Sequence, residues 1–416
     1  MFRRLNCAFL FVTAMSAIAL AQAPIVHAPL TLQQVIETAR VRNPTLQASE
    51  RNLAAVHAQE LQAAVRVNPE FTVYGTNVSL PAEGASNPYA YSFQLSRLME
   101  RGEKRRWRMD VAKATTKQTD ATYRDQQRQT ILAVKQGFTN MLLAKAALNL
   151  AQQNLKDFAH QLEINKERYT HGDIGKLDYE RLDLQMAQFE TDESNAQASL
   201  ASASLQLQTL MGYDKPSESF DIAGDLVPPA LTATVEEMER KALASRPDFQ
   251  AAQLGTEVAD ANVKLATANG TTDPTLEAEY DRSGTYNSAG FSINIPLKIF
   301  DRNQGNKLTS QYQAQASRFT ETAARNQVVS DVQQAWVQYK TSKTVSDRYN
   351  GHYLAEATDI LSIAEFAYRQ GGLALIDYLN ALQDHRTTTL NALNAYAQTW
   401  MSIHQLSFVT ATEVVP

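Results

Sequence analysis

A mainly α-helical fold with a small β part is what this sequence predicts, built from long coiled-coil helical hairpins in two internal repeats plus four strands. Three observations carry that expectation. The chain repeats itself: in RYTHGDIGKLDYERLDLQ, from Arg168, the residues Tyr169, Gly172, Leu177, Asp178 and Tyr179 stand opposite Tyr368, Gly371, Ile376, Asp377 and Tyr378 of AYRQGGLALIDYLNALQD, at a constant offset of 199. Val134, Met141, Leu148, Leu155, Leu162 and Tyr169 recur every seven residues among Gln, Asn, Lys and Asp, the stripe of a left-handed coiled coil. Tyr89, Tyr91, Phe93 and Leu95 alternate with Ala90, Ser92, Gln94 and Ser96, as Phe291, Ile293 and Ile295 do with Ser292 and Asn294. That period of two marks strands whose faces meet different surroundings.

In chain order, residues 1–21 read as a secretory signal peptide. Arg3 and Arg4 precede the apolar run CAFLFVTAMSAIALA, and Ala19-Leu20-Ala21 makes an A-x-A cleavage site. The only cysteine, Cys7, lies inside this segment, so the expected mature chain is exported without a disulfide. Residues 22–232 form the first repeat. Thr31 with Gln34 reads as a capping box, Pro44 restarts the helix, and strands are expected at about 69–96, the first of them from Phe71 to Leu80. A helix from about Met99 to Arg168 spans roughly 105 Å at about 1.5 Å per residue. A glycine tip at 168–179 then reverses it, and a Pro- and Gly-bearing insert at 212–232 belongs at mid-height. Residues 233–416 repeat the plan, with Thr234 and Glu237, Pro247, strands at about 274–296 and a tip at 367–378. The linkers PAEGASNP and DRSGTYNSAG read as hairpin loops. Asp178–Met211 and Thr234–Ala268 each reach about half the length of the long helix, so they are expected to stack end to end along it.

Two surface hairpins on a helical protein would show the same alternation. If the strands cross a membrane, however, four cannot close a barrel, because the smallest transmembrane barrels have about eight and lipid tolerates no open edge. Several chains would then pool their strands, and three would supply twelve. Beyond the signal, no run of eighteen apolar residues occurs, which excludes helical spans and leaves a barrel open. Loss of Arg3 and Arg4 takes the formal charge from −5 to −7, offering nucleic acid no basic field. No catalytic constellation, phosphate loop or nucleophile elbow is present. The seven histidines, His171 at the first tip among them, are scattered outside any ligand motif. An enzyme, a resident metal and a cofactor are therefore not expected.

With its duplication, its strand pairs and the paired tips Tyr169-x-x-Gly172 and Tyr368-x-x-Gly371, the sequence resembles the TolC family of bacterial outer-membrane efflux proteins from Thr31 to about Phe408. LSRLMERGEKRRWR after the second strand and IPLKIFDRNQGN after the fourth resemble its CzcC-like heavy-metal subgroup. The resemblance implies a homotrimer in the cell outer membrane, with a twelve-stranded barrel and a helical tunnel in the periplasm. It implies a passive exit duct working with a periplasmic adaptor protein and an RND-type inner-membrane pump, and heavy-metal cations as substrate. Export of drugs or of proteins by type I secretion, and a non-pore exported coiled-coil interaction protein, are the alternatives.

For individual residues, the resemblance implies that Tyr368 and Asp178 lock the periplasmic entrance, and that Asp377 forms an acidic ring. Asn380 stands where a second ring would be, and Leu373 where some members carry a basic lock residue. Read locally, Gly172 and Gly371 supply left-handed turns, and Asp178 and Asp377 are charges favoured at helix N-termini. Tyr91, Phe93 and Leu95 are the expected lipid-facing side of the second strand.

Overall fold

The computed structural model describes residues 29–76, 89–217 and 220–415. The signal segment 1–21, the Asn77–Leu80 end of the first expected strand and the PAEGASNP linker lie outside the described residues. Helix α1 (Leu32–Arg42) opens on the capping box: Gln34 N–H donates to Thr31 Oγ1 and Thr31 N–H to Gln34 Oε1. Asn43 caps α2 (Pro44–Ala64), accepting from Thr45 and Leu46 N–H, and Pro44 occupies the first helical position, where its missing N–H breaks no bond. The second half repeats this. Thr234 accepts from Glu237 N–H to open α5 (Val235–Ser245), and Pro247 starts α6 (Pro247–Asn269).

The strands β1 (Glu70–Thr76), β2 (Ala90–Leu98), β3 (Thr275–Ser283) and β4 (Tyr286–Asn294) form one antiparallel sheet in that order. The two halves of the chain therefore join through β2 and β3, with Phe93 opposite Tyr280 and Leu95 opposite Ala278. β1 and β4 stand at its edges. The stretch DRSGTYNSAG, read as a loop, is mostly strand. Only Gly284 and Thr285 turn, and Ser283 already pairs with Tyr286. Gly284, at φ 61, permits a two-residue turn, so its polar neighbours stay in the ladder.

Helix α3 (Lys104–His171) runs 68 residues, about 100 Å. The partners of α3 appear in order along it. Arg124 donates to Gln250 of α6, Gln152 donates to Glu193 of α4 (Lys176–Leu210), and Phe158 stacks on Phe189. α6 and α4 thus lie end to end beside α3, with the 212–232 insert at their junction. Asn43 Nδ2 ties that junction down by donating to Leu210 O at 2.8 Å. In the second half, α7 (Gln304–Arg348) passes through a π-helical turn at Tyr349–Tyr353 into α8 (Leu354–Arg369), and α9 (Leu375–Thr410) returns alongside. The first half carries an unbroken helix here, and no residue pattern marked the difference.

Two apolar cores sit at mid-height. Val35, Ile36, Val134, Phe138, Met141, Leu207 and Met211 form one; Met238, Val332, Tyr339, Ile403 and Leu406 form the other. His404, 4% exposed, lies beside the second, its Nε2 at 3.0 Å from Thr139 Oγ1. Burial first, and the Lys135 charge second, push its pKa down from 6.5 to about 3. A His whose folded pKa is depressed supports the fold fully above 6.5 and loses that support as pH falls toward about 3. At about 1.4 kcal/mol per pH unit, stability should drop by about 2 kcal/mol between pH 7 and pH 5. Urea unfolding at the two pH values should show this drop in the parent and a flatter response in His404→Gln.

Candidate functional site

At the far end of the long helices each hairpin reverses on a glycine. Gly172, at φ 82, donates its N–H to Tyr169 O, and Asp173 N–H reaches Arg168 O at 2.8 Å. Gly371, at φ 76, does the same to Tyr368 O, with Gly372 N–H on Ala367 O at 2.9 Å. A residue with a Cβ pays steric strain in this conformation, which is the physical need for glycine at both tips. The next helices start within a few residues. Asp178 falls in the first turn of α4 and Asp377 in the first turn of α9, where the exposed N–H groups favour a carboxylate.

The duplication recurs in the ring contacts. Tyr169 stacks on Tyr179 with centroids 5.2 Å apart, and Tyr368 stacks on Tyr378 at 5.1 Å. Tyr368 is buried, and its hydroxyl donates to Asn165 Oδ1 at 3.1 Å. Within one chain its hydrogen-bond partner is thus Asn165 of α3 rather than Asp178. Burial raises the Tyr368 pKa; the Arg168 guanidinium, 5.6 Å from the ring centroid, lowers it, and the Asp178 carboxylate raises it again. Tyr378 is pushed up to about 12, by burial first and then by Glu365. Leu373 packs against the apolar cluster of Phe158, Leu182, Phe189, Leu375 and Tyr378.

Asp377 and Asn380 are exposed on α9. Asn380 lines a groove of about 1070 Å³ between α4 and α9, together with Leu184, Gln188, Asp192, Ile376 and Arg386. Arg386 is buried; it pairs with Asp192 across the two hairpins, covers the Phe189 ring at 4.4 Å and donates to Gln383 Oε1 at 3.2 Å. On the other seam Gln161 Nε2 donates to Glu365 Oε1 at 2.7 Å. Asn165, Arg386 and Asp192 went unmarked in the sequence. Tyr378 was visible there as the repeat mate of Tyr179.

At the opposite end, the sheet has one apolar and one polar face. Phe71, Val73, Phe93, Leu95, Phe291 and Ile293 are exposed on the first, where the Phe93 ring lies 6.2 Å from Phe71 and 6.4 Å from Tyr280. Tyr91, half-buried, meets Phe93 edge-on at 5.5 Å. Thr72, Gln94, Glu277, Glu279 and Ser292 occupy the other face by register. Among the described residues no helix is long and apolar enough to cross a membrane, and no three His, Cys, Asp or Glu converge as a metal site.

The chain matches the family model described as outer membrane efflux protein over residues 35–213 and 239–411. It is 25% identical over 376 residues to the cobalt-zinc-cadmium resistance protein CzcC of Cupriavidus metallidurans, covering 90% of this chain and 88% of that one. The nickel-cobalt-cadmium resistance protein NccC of Alcaligenes xylosoxydans xylosoxydans is 25% identical over 350 residues, with 78% and 74% covered. A solved structure of CusC, reported with its folding and transmembrane channel formation, superposes with a TM-score of 0.77 at 18% identity, over 91% of each chain. With both of its halves matched by one family model, this chain belongs to the outer membrane efflux protein family.

Proposed function

We propose that three copies of this chain pool their sheets into a twelve-stranded barrel, and that the assembly is a passive exit duct for heavy-metal cations. The observation that carries the reading is the sheet. It has four strands, an apolar exposed face, and two edges that lipid forbids unless a neighbour pairs with them. The long helical hairpins then extend the duct into the periplasm. Energy comes from an inner-membrane pump of the RND type through a periplasmic adaptor, so the chain itself performs no catalysis. The cation assignment draws on the similarity to CzcC and NccC, whose names state cobalt, zinc, cadmium and nickel resistance. Chemical crosslinking of intact outer membranes should trap a trimer; bands that stop at monomer and dimer would overturn the pooled barrel. Cells lacking the duct should lose tolerance to cobalt, zinc or cadmium. Loss of tolerance to drugs alone would move the substrate class.

Asp377, exposed in the first turn of α9, is the proposed acidic ring. Three carboxylates about 6 Å apart repel by roughly 0.7 kcal/mol per pair in water. The field that creates this repulsion also concentrates cations at the mouth. Asp377→Asn keeps the size and removes the charge. Planar-bilayer recordings at low salt should show reduced cation selectivity with unchanged trimer stability. Unaltered selectivity there, where screening cannot mask it, would place the ring elsewhere.

A further inference from the structure

A cleft at the foot of the sheet is built differently from its surroundings. It holds about 320 Å³ and is lined by Arg66, Val67, Arg97, Leu98, Met99, Glu100 and Arg105. Arg97 lies on the apolar face of β2, two residues beyond Leu95 and four beyond Phe93, so about 7 Å separates it from the exposed leucine. Arg66 is brought beside it by α3. Arg105 Nε donates to Ala64 O at 2.6 Å and Arg108 Nη2 to Val65 O at 3.4 Å, fixing the chain where α2 ends. Arg66 and Arg97 are both exposed, and among the described residues neither side chain has an ion-pair or hydrogen-bond partner. Glu100 does not neutralise them, because it is paired with Arg108. Val67 and Met99, which flank the arginines, are 47% and 40% exposed.

Unpaired guanidinium groups in water need no apolar wall. Here two of them border an apolar band, with exposed aliphatic side chains between, at the level where strand gives way to helix. A guanidinium at that level presents a planar fork suited to phosphate oxygens, while the apolar walls suit an acyl chain. We infer that this cleft holds the phosphate of an anionic glycerophospholipid from the membrane leaflet facing the periplasm, with Arg66 and Arg97 as the phosphate ligands and Arg105 closing the rear. The leaflet follows from the side on which the helices lie. The inference rests on the proposed lipid-facing role of Phe93 and Leu95.

Native mass spectrometry of the mature protein in mild detergent tests it, with phosphatidylglycerol, phosphatidylcholine and inorganic phosphate added separately. The parent should take up phosphatidylglycerol at about tenfold lower concentration than phosphatidylcholine. The double variant Arg66→Gln/Arg97→Gln should lose that preference while keeping the oligomeric mass of the parent. Equal uptake of the two lipids by the parent, or an undiminished preference in the double variant, would overturn the assignment. So would displacement of phosphatidylglycerol by inorganic phosphate at millimolar concentration, which would make the cleft a site for free phosphate. Insertion of Phe93→Arg into membranes is scored separately, so failure of the lipid-face reading is distinguished from failure of the cleft.

Discussion

Phe93→Arg should keep most of the protein out of the outer membrane. Phe93 sits mid-strand on β2, 39% exposed, between the Phe71 and Tyr280 rings on the apolar face. An arginine facing lipid near the bilayer midplane costs about 2–4 kcal/mol in each chain. In a closed three-fold barrel every copy carries the penalty, so the assembled cost is about three times larger. Gln94→Arg is the matched control. Gln94 points to the opposite face, where its cross-strand neighbour is Glu279, so a new cation there meets a carboxylate instead of acyl chains. The helices pack in cores remote from the sheet, and both variants should retain their helical circular dichroism. Membrane fractionation should therefore show the Gln94 variant inserted and the Phe93 variant excluded. Equal insertion of the two would put lipid on the other face.

The place of Phe93 on the apolar face was legible because a strand's faces alternate with a period that survives in a single sequence, and because the two faces here differ in kind. The tips were legible for another local reason: a helix that must reverse needs a left-handed residue, and Gly172 and Gly371 mark the place. Local rules also explain the misreading of DRSGTYNSAG. Its polar and small residues look like a loop, yet pairing with β2 on one side and a two-residue turn at Gly284 hold them in a ladder. The π turn at Tyr349–Tyr353 has no residue pattern of its own, since a lone Gly351 does not separate it from an ordinary helix turn. Asn165, Asp192 and Arg386 were illegible in principle. Tyr368 and Asn165 are 203 residues apart, and nothing near Asn165 announces that a phenol will arrive. At the offset of 199 the repeat mates of Arg386 and Asp192 are Ala187 and Asn391, neither of them charged, so even the duplication does not announce the pair.

That pair should prove the most sensitive polar contact between the two hairpins. Arg386 side-chain exposure is 9% and that of Asp192 is 28%. Burial alone pulls the Arg386 pKa below its ordinary value, so the surroundings disfavour its charge and the Asp192 carboxylate offsets this. Asp192→Ala leaves a guanidinium without its counter-charge over the Phe189 ring, and breaking a buried pair in this way costs about 3–5 kcal/mol. The partial exposure of Asp192 puts the expected loss at the lower end, about 3 kcal/mol. Replacing both partners with apolar residues, as in Asp192→Leu/Arg386→Leu, removes the stranded charge and should recover most of that loss. Because the pair joins α4 to α9, the damage should be local. Hydrogen exchange should accelerate around residues 376–390 of α9 in Asp192→Ala, while amides around Ile403 and Leu406, in the mid-height core, keep their protection. In the proposed duct a loosened seam near the tips should also raise basal conductance in planar bilayers. Uniform acceleration along α9, or a double variant as unstable as Asp192→Ala, would show that the pair does not join the hairpins in this way.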